Sequence, residues 1–158
     1  MLHLDYREWS EALGRVEQGL LDIHVSPEEL FMRKLVNATV IRNRMFEHTS
    51  NESENNREHT IYAKPFRDHE VDTFGPAIWK SAFEFVDVSR TFEPVFCVWH
   101  NGDFVVKQMM YGIAQPMDIA RLLLDHYLIE YGRTYEVLYT LLDHERKKVL
   151  FFLKEVME

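Results

Sequence analysis

Apolar positions in this chain recur mostly at spacings of three and four, the period of an amphipathic helix. Trp9, Leu13, Val16 and Leu20 form one such stripe, which predicts a first helix capped by Asp5 and reaching Leu21. Ser26-Pro27-Glu28-Glu29 reads as a helix start, with Ser at the N-cap, Pro at the first position and Glu completing a capping box. Phe31, Leu35, Ala38, Ile41 and Met45 then carry a second helix to Phe46. Gln115-Pro116 opens a third, which Gly132 stops, and Thr134 opens a fourth with the stripe Leu138, Leu142, Val149, Phe152 and Val156. The last two make a C-terminal αα-hairpin.

The period changes to two in the middle of the chain. Glu93 to Met110 places two β-rich runs around Asn101-Gly102, the dipeptide that accepts positive φ at both centres of a type I′ turn. That register sets Trp99 opposite Phe104, Val98 opposite Val105 and Cys97 opposite Val106, so both faces are apolar near the turn and the strands should be covered. An alternating run at 83–89 would add a third strand, with a short extended segment at 61–66 and a brief helix from Pro76. The fold expected is therefore α+β: one domain over 1–158, with a three-stranded antiparallel meander covered by about four helices. The segment 48–60, HTSNESENNREHT, holds no large apolar residue and reads as a mobile polar loop. Leu-Leu-Asp-His occurs at 123 and again at 141. The flanks do not match, so the recurrence reads as chance, and no other period is visible.

Composition narrows the function classes. The 26 acidic against 18 basic residues give a net charge of -8, a balance that disfavours broad nucleic-acid or anionic-membrane surfaces. Aromatics at 13% exclude global disorder. The opening MLHLDYREWSEAL lacks a signal-peptide core and no apolar run reaches membrane-spanning length, so a cytoplasmic protein is the expectation. Cys97 is the only cysteine and reads as an inert core thiol. No phosphate-binding loop, dinucleotide fingerprint, zinc-protease or hydrolase motif is present.

Three constellations could carry chemistry. Arg42 and Glu145 fall on the apolar stripes of the second and fourth helices, where a charge needs a partner. His126 and Glu130 share a face of the third helix at i, i+4, a spacing that suits two metal ligands or a base with its orienting carboxylate. Arg42, His126, Glu130 and Glu145 together make a candidate ligand pocket. His59, Asp68, His69, Glu70 and Asp72 crowd one segment and are the residue types that bind borderline metals, although their spacing fits no metal motif. Arg33, Lys34 and Arg44 read as a solvated basic island, and Tyr127, Tyr131, Tyr135 and Tyr139 as a ladder of interface type. The reading that fits best is a small acidic non-catalytic binding protein (a regulator, inhibitor or adaptor) acting through a protein partner or as a homodimer. The alternative is a metal- or acid/base-dependent hydrolase. No cofactor is indicated.

Overall fold

The computed structural model describes residues 1–109 and 115–157. It is predominantly β. The described residues form one mixed sheet in the order β2-β1-β5-β4-β3-β9-β10-β6-β7, with β8 added on β9. The chain lays down β1 (Leu2–Ser10), β2 (Arg15–Val25), α1 (Pro27–Leu35), β3 (Ala38–Ile41), β4 (Arg44–Glu54) and β5 (Glu58–Pro65). A 3-10 turn (Asp68–Glu70) and α2 (Gly75–Ala82) follow. The second part holds β6 (Glu93–His100), β7 (Asp103–Lys107), α3 (Pro116–Leu123), β8 (Tyr127–Glu130), β9 (Arg133–Asp143) and β10 (Lys148–Glu155).

The expected meander under four helices is overturned. The first predicted helix is the β1–β2 hairpin, the second ends at Leu35, the third ends at Leu123, and the fourth is the β9–β10 hairpin. Residues 48–60 are no loop but the far ends of β4 and β5 around a turn at Asn55-Asn56, both with φ of 54°. The stretch 83–89 forms no strand. Three parts of the reading correspond to the structure. Ser26 Oγ accepts from the Glu29 amide at 3.1 Å, α2 stands at 75–82, and the β6–β7 hairpin pairs Val98 with Val105 and Trp99 with Phe104.

A repeat emerges that the eighteen-residue coincidence did not suggest. Both parts run ββαβββ, with the last strand returning parallel to the first: β5 beside β1, β10 beside β6. Pro27, Ala38 and Arg44 open α1, β3 and β4; Pro116, Tyr127 and Arg133, each 89 positions later, open α3, β8 and β9. Each middle hairpin turns on two residues with positive φ, Arg42-Asn43 (50° and 62°) and Tyr131-Gly132 (50° and 76°). Even the entry bonds match: His48 donates to the Asn37 carbonyl at 2.8 Å and Val137 to the His126 carbonyl at 2.9 Å.

The two units fuse where β3 pairs in parallel with β9, Ala38 beside Leu141. A polar clasp locks that seam. The Arg42 amide donates to Glu145 Oε1 at 2.8 Å, Arg146 Nη2 to Asn43 Oδ1 at 3.1 Å, and the His144 amide to the Val40 carbonyl at 3.0 Å. On one side of the sheet α1 and α3 pack together. On the other, α2 lays Ile78 and Ala82 over Val95, Cys97, Phe104, Leu150 and Phe152 of the second unit. Gly75 is required there, because a Cβ at its position would lie 1.8 Å from the Asp68 carbonyl oxygen.

Candidate functional site

The inward faces of the two units occupy equivalent positions in the fold. In the first, β1 and β5 send Leu4, Tyr6, Ile61 and Ala63 toward α1. In the second, Phe96 and Phe151 occupy the matching parallel pair and stack at 5.1 Å beneath α3. The outward faces differ. The second unit's is apolar and lies under α2. In the first, strand alternation turns His3, Asp5, Arg7 and Trp9 of β1 outward beside Thr60, Tyr62 and Lys64 of β5. No helix among the described residues lies over them.

This face is organised by its own contacts. Arg7 Nε donates to Asp5 Oδ2 at 2.7 Å, and Tyr62 OH donates to Glu52 Oε2 at 2.7 Å. Hydrogen bonding to Glu52, with some burial, raises the Tyr62 pKa, so the phenol keeps its proton. Trp9 meets Tyr62 edge to face with centroids 5.9 Å apart. Lys64 reaches Glu70 at 3.3 Å and Glu11 at 3.4 Å. Two shallow grooves flank the patch, one of about 520 Å³ along Asp5, Arg7, Asp22 and Arg42, the other of about 350 Å³ along Trp9, Glu11, Lys64 and Arg67. An indole, a phenol and a guanidinium on a preformed sheet are the side chains that most often anchor protein interfaces.

Behind the patch the first unit contains a buried charge. Arg33, 1% exposed, donates from Nε to Glu29 at 2.9 Å, from Nη1 to Tyr6 OH at 3.1 Å, and from Nη2 to His144 Nδ1 at 3.0 Å. Its plane also faces Phe92 at 5.2 Å. A guanidinium is always charged and has no acceptor, so His144 Nδ1 must accept and the ring is neutral. Burial, then the charges of Arg33, Lys147 and Arg42, push the His144 pKa down to about 4. His48, hydrogen-bonded to Thr39 at 2.7 Å, is pushed down to about 4 by burial. The basic island of the sequence reading is thus wrong for Arg33: its α1 face points into the fold.

The pocket residues inferred from helical spacing separate. Arg42 and Glu145 do meet, through the Arg42 amide, in the clasp. His126 and Glu130 belong to the β8 region at the other end of β9, where Glu130 pairs with Arg133. Eleven residues of β9 set the two pairs roughly 30 Å apart. His126 instead lines a groove with Asp125, Tyr127 and Glu136. His59 is buried with Nδ1 against Lys34 Nζ at 2.9 Å and Ser53 Oγ at 3.0 Å. Asp68, His69 and Glu70 form the 3-10 turn, where His69 lies 3.9 Å from Asp68 and Glu70 holds Lys64. Among the described residues no group of three His, Cys, Asp or Glu side chains converges as a metal site. The tyrosine ladder divides: Tyr135 and Tyr139 are buried, Tyr127 and Tyr131 exposed.

Sequence reasoning gave no role to Arg7 or Tyr62, set Trp9 on a helix stripe and set Arg33 in solvent. The signal for Arg7 was present, since Leu2, Leu4 and Tyr6 alternate with His3, Asp5 and Arg7 in strict period two. No described helix is long and apolar enough to cross a membrane. Comparison with known proteins finds no matching family model, no matching curated protein and no matching solved structure.

Proposed function

We propose that this protein is a non-catalytic binding protein, a regulator, inhibitor or adaptor, and that it grips a protein partner with the outward sheet face of its first unit. One observation carries the reading. The same ββαβββ unit occurs twice; in one copy the outward face is apolar and sealed by α2, while in the other only β3 and the start of β4 join that cluster, through Ala38, Val40 and Met45, and the face of β1 and β5 is open and dressed with Arg7, Trp9 and Tyr62. A face that only needed water would not hold an indole against a phenol beside a guanidinium. The mixed charge of Asp5, Arg7, Glu52 and Lys64 suits a partner surface with both signs, and the net charge of -8 favours a basic one.

A photo-crosslinking residue at Thr60, in the middle of the face, tests this in the native host. A discrete protein adduct is expected from Thr60 and none from Glu28 on the exposed side of α1. Replacing Arg7 and Tyr62 together by Ala should cut the adduct at least about tenfold while the melting transition stays cooperative. Equal labelling from both positions, or an adduct indifferent to the double substitution, would overturn the proposal.

A further inference from the structure

The strand path of the sheet ends in two edges, β2 and β7, that the chain treats differently, with β8 lying off that path on β9. At one end, β2 is bulged against β1 at two places, between Tyr6 and Arg7 and between Glu8 and Trp9, and carries Arg15, Glu17 and Asp22. Bulges and charges are the usual protection of an open edge. At the other end, β7 pairs with β6 in unbroken register and exposes Val105 at 50% and Val106 at 59%. Nothing among the described residues pairs with its outer side.

The backbone of β7 has a fixed parity. His100 and Asp103 flank the two-residue turn and so form a hydrogen-bonded pair, as does Val98 with Val105. Phe104 and Val106 therefore aim their N–H and C=O groups away from β6. The structure shows this directly at Phe104, whose amide has turned to the Asp103 side chain at 3.0 Å for want of a strand.

The sequence of β7 is Asp-Phe-Val-Val-Lys, and about its centre it is complementary to itself. We infer that β7 pairs antiparallel with β7 of a second copy of this chain, about a two-fold axis through Val105, to make a homodimer with one continuous sheet. In that register Phe104 lies opposite the partner's Val106, so the outward-facing groups exchange four main-chain hydrogen bonds. Val105 meets the partner's Val105 on the axis. Asp103 meets the partner's Lys107 and Lys107 the partner's Asp103, on the same face, with opposite charges directly across the ladder. A closed two-fold pairing uses up the β7 edge of each copy, and the bulged, charged β2 edges left at the two ends are protected, which is why it stops at two copies rather than growing into a fibre. Asp103 gives up the Phe104 amide to the partner strand; its contact with Lys80 at 2.7 Å lies at the exposed surface and costs little to loosen. This pairing is at the opposite edge of the sheet from β1 and β2 and does not depend on what the open face of the first unit binds.

Sedimentation of the full chain across a concentration series tests it. The wild type should pass from 18.9 kDa toward twice that mass. Val106→Pro removes one outward donor without touching the β6 ladder and should leave a monomer at concentrations where the wild type is dimeric. Asp103→Lys sets like charges against each other and should weaken the dimer on the order of tenfold or more, while Asp103→Lys with Lys107→Asp should restore it. Circular dichroism melting of each variant confirms folding. A wild type that stays monomeric throughout, or a dimer that folded Val106→Pro and Asp103→Lys leave intact, would overturn the inference.

Discussion

The two ββαβββ units have one topology and two kinds of interior. Under α3 the second unit holds no buried charge among the described residues: Leu122 packs over a cluster containing Phe96, Tyr135, Phe151 and Leu153. At the position equivalent to Leu122 the first unit has Arg33, and at the position equivalent to Phe96 it has Tyr6, which hydrogen-bonds that arginine. The outward faces follow the same division, apolar and sealed by α2 in one unit, polar and open over β1 and β5 in the other. A backbone plan therefore does not dictate its core chemistry. Where a sheet is covered on both sides, its central strand becomes an unbroken apolar run, as in Val149 to Leu153. Where one side is open, alternation returns, as in β1.

The largest way to break this comparison is at Arg33. Arg33→Ala would leave Glu29, Tyr6 OH and His144 without their shared donor in a buried site, and should cost about 3–5 kcal/mol of unfolding free energy in urea titration. Giving the first unit the second unit's residues, with Arg33→Leu and Tyr6→Phe together, should recover most of that loss. If the double substitution is as unstable as Arg33→Ala, the two cores are not interchangeable. Acid should divide the units next. His48 and His144 titrate near pH 4 when folded and near 6.5 when unfolded, so between those values the unfolded chain takes up protons that the folded chain refuses. Stability should fall as pH drops through that window. His3, held by Glu58 and Asp22, acts with the opposite sign: its raised pKa adds stability that is present below 6.5 and fades as pH climbs through the folded value. His59 is pushed down too, by burial and then by Lys34, so three histidines against one leave a net loss toward acid. His48 has Val137 as its counterpart, so hydrogen exchange at pH 5 should quicken in the first unit before the second. His144→Gln, which keeps an acceptor for Arg33, should lower the pH slope by roughly one proton. The smallest effect belongs to the surface. Lys64→Ala on the open face loses contacts to Glu11 and Glu70, and its counterpart Lys154→Ala loses one with the Phe74 ring at 5.9 Å. Each should change stability by less than about 1 kcal/mol in the same titration, and a clear asymmetry between them would show that the open face is strained or specially stabilised.

What could be read from the residues follows from where local and tertiary signals agree. The Asn101-Gly102 hairpin and the Ser26 cap were legible because turn and cap chemistry act within four residues. The other hairpins were hidden for distinct reasons. Arg42-Asn43 makes a left-handed two-residue turn without glycine, and Gly132 looks the same whether it stops a helix or closes a hairpin. Strands buried on both faces, such as Ala38–Ile41, have no alternation to betray them and pass for helix core. In β9 a bulge opposite Phe152 and Leu153 shifts parity, so that Tyr135 packs under α3 and Tyr139 on the α2 side, where it donates to Glu47 at 2.8 Å. Of the candidate site, the need of Arg42 and Glu145 for polar partners was inferred from helical stripes, whereas the clasp between turns that joins them through the Arg42 amide was not. The open face was not, because a single alternating strand, β1, was taken for a helix.

Cys97 lies 2% exposed on β6 directly beneath α2, and burial pushes its thiol up to about 12. At neutral pH it is neither a thiolate nor reachable, so alkylating reagents can touch it only when α2 lifts from the sheet. The chain thereby carries a chemical clock for one event: the rate of thiol trapping measures how often the second unit uncovers the face that its twin leaves permanently open.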